Sequence, residues 1–549
     1  MLKTFVVYFK KSLMTIFLLG FITFLIAGIT NAIPILSQKV FDEGILKGNI
    51  NSIILFTAVL IIIYFSRGIL NYISDFLLAK TSSKVIADIK TDMIHKTLNM
   101  PMSFFDSKST AYILSRINEA NSLSSIFTPT VFSFFSTSIS MIGALIFIFS
   151  KSILIFIICI LFMPLVYIIS NSSLSVINKY SKEMFETNAK TNNKIHSTFE
   201  GIVTLKQLNQ EKNVNKSISK EVFSLAEKTV YQSKTISKSS QLLNVTILII
   251  QTLIIGTIAY LITQGRLQVG DYVSLTQYVG MVYAPITMFQ GFKITIQPAL
   301  AAMSRLNSLI GKTVPDNKGI KVNKIESISL ENVSFKYETA HKEILKNVNL
   351  DLNTGEKLAL IGSNGSGKTT IVKLLLGFYQ TYLGNIFING TELKKINIKD
   401  LRDRIGIIPQ NIYLFEDTIA NNIKIGNTMI KESEFRQKID LLKTNGILTD
   451  LDLNKKIIEN GKNLSKGQIQ QIAFARAFMK EFDVLIFDEA ISNMDQKARQ
   501  AFKKILSKEF SNKICIFISH DNELSSFINK EFVLASNLNQ EDKKEERSR

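Results

Sequence analysis

Cysteine is nearly absent. Cys159, in an apolar run, and Cys515, in a segment that reads as a buried strand, are the only two, so neither a disulfide framework nor a thiolate metal site is available. Histidine is scarce as well: His95, His196, His341 and His520 are scattered, and no pair has the spacing that sets two imidazoles on one helix face. Aromatic and basic residues do not interleave, and no internal repeat is found, so the formal net charge of +19 carries no nucleic-acid signature. Basic loops beside anionic membrane lipid account for that charge better. What is abundant is apolar content, 46 % of 549 residues, which is too long for one core and too apolar for an ordinary soluble chain. At least two domains are expected. Lys, Asn and Ile outweigh Ala and Arg, which suggests an AT-rich bacterial genome.

Hydropathy divides the chain near residue 300, with long apolar runs before it and a polar pattern punctuated by glycine after it. Six spans are predicted at about 13–36, 53–78, 126–149, 152–170, 240–262 and 272–297, each near or above the roughly 20 residues that cross a hydrocarbon core. The first is too long for the apolar core of a signal peptide and is read as retained. The segments between spans two and three and between four and five are long and rich in lysine, from Lys80 to Lys108 and from Lys179 to Lys220, whereas the other connections are short and carry few cations. The positive-inside rule then sets those segments, both termini and the second half of the chain in the cytoplasm of a bacterial cell membrane. The long segments keep a helical period and have no proline except Pro101, so the membrane helices are expected to run on beyond the bilayer and turn on short connecting helices. The expected division is a transmembrane domain over 1–298, a linker over 299–325, a second domain over 326–540 and a solvated tail over 541–549.

In the second domain the apolar strand KLALIG leads into Gly362, Ser363, Asn364, Gly365, Ser366, Gly367, Lys368 and Thr369, with Thr370 opening a helical pattern. This is G-x-x-x-x-G-K-[ST] between a strand and a helix, the setting in which backbone N–H groups turn inward on phosphates and the helix N-terminus adds its positive end. Lys368 reaches the β and γ phosphates in this reading, and the Thr369 hydroxyl ligates Mg²⁺. Further on, Val484 to Glu489 is a buried strand ending in two carboxylates, which assigns Asp488 to the metal and Glu489 to the attacking water as general base. The fold class is therefore an all-α six-helix transmembrane domain plus an α/β phosphate-loop NTPase domain, with ATP and Mg²⁺ as ligands.

Leu464-Ser465-Lys466-Gly467-Gln468, just ahead of that strand, resembles the LSGGQ signature of the ATP-binding cassette family, and the whole chain is similar to the family's exporter half-transporters. The resemblance implies further roles. Tyr337 matches the aromatic that stacks on adenine, Gln410 the glutamine that senses Mg²⁺ and the γ-phosphate, Asp495 the aspartate linking the two ATP sites, and His520 the switch histidine. It also implies that Ser465, Gly467 and Gln468 close the ATP site of a second subunit, so that a dimer is required. Residues 101–110 and 199–212 resemble the family's two coupling segments, the first reaching across to the partner's cassette.

Lys466 stands where the family has glycine; it either attracts the facing phosphate or, where the backbone needs positive φ, hinders close approach. Asn493 and Met494 are also unusual, but the retention of Glu489 and His520 favours a homodimer over a heterodimer in which this is the competent subunit. The expected activity is ATP-driven export of an amphipathic substrate such as a peptide, lipid or drug. A regulatory or gating module, or an importer with an exporter-like fold, is the alternative. Asn31, Asn244, Gln251, Gln277, Gln290 and Gln297 lie in apolar spans, where they either line a cavity or hydrogen-bond between helices. No peptidase-like segment precedes the first span, so peptide cargo is expected to be processed elsewhere. Glu489→Gln is expected to abolish ATP hydrolysis while leaving ATP binding intact, and wild-type turnover in that variant would sink the assignment.

Overall fold

The structure is a computed structural model and describes residues 7–172, 174–310, 319–338, 340, 342–488, 496–518 and 527–534. It divides into two compact units, Met1–Leu98 with Ala111–Thr313, and Asn99–Thr110 with Val314–Arg549.

The first unit is helical. Helix α1, Leu13–Lys39, runs on through a π-helical turn at Val40–Ile45, and α2, Ile50–Leu98, continues for 49 residues. The short α3, Met102–Ser107, belongs to the second unit. A 3₁₀ segment, Ala120–Phe127, then leads into α4, Pro129–Lys151, with proline at the first helical position, and α5, Ile153–Ser172, follows. Next come α6, Leu174–Glu200, the six-residue α7, Ile202–Gln207, the 53-residue α8, Glu211–Thr263, and α9, Val269–Ile310. Among the described residues, five candidate spans, containing α1, α2, α4, α5 and α8, are long and apolar enough to cross a membrane. The sixth expected span lies in α9, which is long enough but carries Gln277, Gln290, Gln297, Pro285 and Pro298.

At 1.5 Å per residue, α2 and α8 extend about 75–80 Å against a hydrocarbon core of about 30 Å, as the helical period of the long segments predicts. The helices turn on α3 and α7, the short connecting elements expected at those places. Residues 299–310, read from the sequence as linker, instead continue α9, because Ala-Leu-Ala-Ala and the residues after it offer no helix breaker before Gly311.

Five hydroxyls inside the spans bond back to their own helix: Thr23 to the carbonyl of Leu19, Thr30 to Ile26, Ser37 to Ile33, Thr252 to Leu248 and Thr257 to Leu253. These residues therefore sit in apolar surroundings without an unpaired group. Asn31 is satisfied only in part: its side-chain nitrogen donates to the Ala27 carbonyl at 3.0 Å, its Oδ1 is buried without a partner, and its backbone carbonyl accepts the Tyr278 hydroxyl at 2.5 Å. Gly143 on α4 lies so close that a Cβ there would stand 2.8 Å from the Asn31 amide, and Tyr278 packs on Phe147 at 4.4 Å. Asn31 thus joins α1, α4 and α9 by close packing and through its backbone.

One end of the unit carries a buried polar knot. Asp271, 3 % exposed, accepts from Gln38 at 2.8 Å and from the backbone of Gln268 at 2.8 Å, and pairs with Lys151 at 2.8 Å. Gln38 also reaches Asp42 and accepts from Ser274, and Asp42 accepts from the backbone of Gly270. Asp271→Ala removes the buried acceptor shared by Lys151, Gln38 and the Gln268 backbone, and is expected to lower the stability of the solubilised protein by about 1–3 kcal/mol. An unchanged thermal unfolding midpoint would show that the knot contributes nothing.

The second unit is α/β. An antiparallel sheet, in the order β2-β1-β4-β5, is formed by β1 Ser327–Phe335, β2 Leu345–Asn353, β4 Leu383–Ile388 and β5 Thr391–Glu392. A parallel sheet, in the order β6-β7-β8-β3-β9, is formed by β3 Lys357–Gly362, β6 Ile405–Ile408, β7 Val484–Asp488, β8 Ile514–Ile518 and β9 Lys530–Leu534. Both faces of the central strands are covered, which is why they read as continuous apolar runs. Val484, Ile486, Ile514 and Ile516 point into one apolar cluster, whereas Leu485, Phe487, Cys515 and Phe517 point into the other.

Candidate nucleotide site

Strand β3 ends at Gly362, and the chain turns through Ser363–Gly367 into α10, Lys368–Leu375. Gly367 caps the helix at φ 101°, and a Cβ there would lie 2.6 Å from the Leu345 side chain, so only glycine closes this turn. Gly362 is equally confined, since its Cβ would stand 2.6 Å from Ser366 Oγ. Lys368 is 8 % exposed, and its ammonium donates to the carbonyls of Gly362 at 2.6 Å and Ser363 at 3.0 Å, across the loop.

Asp488, 6 % exposed at the end of β7, meets the Thr369 hydroxyl at 3.4 Å. The two side chains assigned to the metal thus come together, although their positions lie far apart in sequence. Strand β6 runs parallel to β7 with Ile408 opposite Phe487, so Gln410 leaves the sheet at the same edge as Asp488. Asn364 to Thr370, Gln410, Asp488, Ile344 and Ile518 line one open cavity of about 820 Å³. Ser366 Oγ is buried there with no protein partner, an orphaned polar atom that suits a phosphate oxygen or a metal-bound water. A hydroxyl, a carboxylate and an amide are oxygen donors of the kind a hard divalent cation takes, so these residues fit Mg²⁺.

Tyr337, just past β1, is half-buried, and its hydroxyl lies 3.2 Å from Thr370 Oγ1 on the phosphate-loop helix. Glu489, Asp495 and His520 lie outside the described residues. Asp488 pairs in register with Ile518, and both of these strand-end residues line the cavity.

Ser465, Gly467 and Gln468 do not line this cavity. They open α14, Lys466–Phe478, preceded in the chain by α11 Ile398–Asp403, α12 Ile419–Lys424 and α13 Glu432–Thr444. The Ser465 hydroxyl accepts from the Gln468 backbone at 3.2 Å, and the Gln468 side chain accepts from the Ser465 backbone at 3.0 Å. This reciprocal cap gives both residues a structural use alongside the expected one. Lys466 is the first residue of the helix, is exposed and has no positive φ, so a side chain costs the backbone nothing there.

Two arrangements depend on long-range contact that the linear order does not encode. Arg476 on α14 clamps Asn422 and Tyr413, donating to the Asn422 carbonyl at 2.9 Å and side chain at 3.2 Å and to the Tyr413 carbonyl at 3.1 Å. Burial pushes the pKa of this guanidinium down, yet an arginine remains charged. The second is Asn99–Thr110. This segment, which resembles a coupling segment, packs on the cassette of its own chain. Met102 joins the apolar cluster beneath the antiparallel sheet, and Tyr379 hydrogen-bonds to Asp106.

A phosphate loop, a strand-end carboxylate and a capped helix on an α/β unit, in one chain with membrane-length helices, define a membrane-bound nucleotide-dependent ATPase. The family model described as ABC transporter transmembrane region matches residues 16–286, and the one described as ABC transporter matches residues 345–492. The chain belongs to the ABC transporter family, as an ATP-hydrolysing, integral membrane transporter of the exporter type. It is 27 % identical over 487 residues to the transport/processing ATP-binding protein ComA of Streptococcus pneumoniae, covering 86 % of this chain and 67 % of that one. It is 27 % identical to the ATP-dependent lipid A-core flippase of Syntrophus aciditrophicus (92 % and 85 % covered) and 28 % identical to the lactococcin-A transport/processing protein LcnC of Lactococcus lactis (88 % and 68 % covered). Its fold matches a bacterial Atm1-family ABC exporter with ATP bound at a TM-score of 0.83 and 21 % identity, over 95 % of this chain and 93 % of that one.

Lys368→Ala removes a charge-assisted donor, and is expected to weaken ATP binding at least about tenfold. Titration with a fluorescent ATP analogue checks this, and unchanged affinity would remove Lys368 from the site.

Proposed function

We propose that two copies of this chain export an amphipathic substrate, a peptide or a lipid, from the cytoplasm, with two ATP molecules held between their cassettes. The observation that carries the reading is the makeup of the nucleotide cavity: Lys368, Thr369, Gln410 and Asp488 line it, whereas Ser465, Gly467 and Gln468 do not. The signature residues at the positive end of α14 are then free to cap the triphosphate of a second copy. Lys466, exposed beside them, adds a cation facing that anion.

Lys368 and the loop N–H groups bind the β and γ phosphates, Tyr337 stacks on adenine, and Gln410 joins the nucleotide to the motion of the membrane helices. Mg²⁺, held by Thr369, Asp488 and Gln410, supplies neutralisation of the phosphate charge. Glu489 accepts the proton of the attacking water, His520 holds the γ-phosphate, and Asp495 links the two sites. Drawing the cassettes together turns the membrane cavity outward. Swinging such an equilibrium from 1:99 to 99:1 takes about 5.5 kcal/mol of differential binding, within reach of two enclosed triphosphates.

The peptide or lipid reading draws on what the relatives' names state of those proteins, and the cytoplasmic placement of the termini draws on the lysine-rich segments. Reconstitution in liposomes with peptides, lipids and drugs tests the substrate class. The expected outcome is stimulated ATP hydrolysis together with ATP-dependent uptake into inside-out vesicles. Hydrolysis that moves none of these cargoes would favour the gating alternative.

A further inference from the structure

Across the end of α10 the chain reads Leu-Leu-Leu-Gly-Phe-Tyr, and the last of these, Tyr379, is 5 % exposed. Its ring meets Tyr337 edge-on at 5.3 Å and Phe335 at 5.1 Å, and Phe335 meets Tyr337 edge-on at 4.9 Å. Three rings therefore brace one another, in the tilted and edge-on geometry that their quadrupoles favour. Tyr337 is held further by its hydroxyl at Thr370 and by the Lys373 ammonium, 5.5 Å from the ring centroid. A polar handle leads out of this group: the Tyr379 hydroxyl donates to the carboxylate of Asp106, in α3. Burial first and the carboxylate second push the Tyr379 pKa up, so the phenol stays a donor.

We infer that the Tyr379 hydroxyl and the Asp106 carboxylate are a positioning pair that sets the Tyr337 ring for the adenine base, so that ATP affinity depends on the place of the Asn99–Thr110 segment. This rests on the reading of Tyr337 as the adenine platform. Tyr379 is nearly enclosed, so a shift of its hydroxyl with Asp106 is passed to the rings it touches, since a packed cluster has no slack to absorb it. Asn99 follows directly on α2, a membrane helix, so the pair ties a base-recognition element to the chain that leaves the bilayer. Coupling between sites is reciprocal, so base binding in turn biases the segment.

The test compares ATP with inorganic tripolyphosphate, which has no base, as ligands of the full-length protein. Tyr379→Phe keeps the ring and Asp106→Ala removes the acceptor, and each is expected to weaken ATP binding about fivefold, as loss of one hydrogen bond does. Tripolyphosphate affinity stays at the wild-type value. Asp106→Asn, which keeps an acceptor oxygen, restores most of the ATP affinity, and in a Tyr337→Leu background neither substitution has a further effect. Equal weakening of both ligands would mean simple damage to the cassette and would overturn the inference. So would unchanged ATP affinity in both variants while Tyr337→Leu still weakens it. If Tyr337→Leu itself leaves ATP affinity unchanged, the platform reading fails, and this inference falls with it.

Discussion

The charges of a triphosphate repel one another, and a protein can gather them only with donors fixed in place beforehand. Much of the second unit follows from that constraint. In the proposed site the donors are backbone N–H groups, which requires the sharp turn seen between a strand and a helix, and Gly362 and Gly367 are the residues that fit where neighbouring atoms come within 2.6 Å of a missing Cβ. The turn needs a rigid base, which the doubly covered parallel sheet supplies. Its strands end together, so β6, β7 and β8 bring Gln410, Asp488 and Ile518 to the rim of one cavity.

In the membrane unit the governing constraint is that lipid offers no hydrogen bonds. Helices satisfy their own backbones, and Thr23, Thr30, Ser37 and Thr252 return their hydroxyls to carbonyls one turn earlier, while Ser140 and Ser170 donate to carbonyls of neighbouring helices. Stronger polar groups are concentrated in the knot of Gln38, Asp42, Lys151, Asp271 and Ser274, where each answers another. Asn31 illustrates how the same residue type is read differently once folded. Its amide nitrogen donates within its own helix, and the contact that joins helices comes from its backbone carbonyl and from the small Gly143 facing it.

Much was legible in the linear order because it depends on local rules. Apolar length marked the spans, the helical period without proline predicted that α2 and α8 would outrun the bilayer, and the G-x-x-x-x-G-K-T string predicted the phosphate loop with its strand and helix. The extent of α9 was missed, since a linker and a helix look alike until a breaker appears, and none does before Gly311. The contacts of Asn99–Thr110 with the cassette of its own chain were not legible, because they join Met102 and Asp106 to residues far along the chain. The consequence of Lys466 depended on its φ, which became visible only once the cap at Ser465 had placed it as the first helical residue.

The amino-acid sequence by itself determined the class of this protein: membrane helices fused to a phosphate-loop ATPase with a cassette signature, because periodicity and glycine placement act over a few residues. Tertiary structure decided which groups meet. The approach of Thr369 to Asp488, the clamp of Arg476 on Asn422, and the link from Tyr337 through Tyr379 to Asp106 join residues far apart in the chain. Such meetings follow from how strands order themselves in a sheet and how rings fill a core, and no local pattern encodes either.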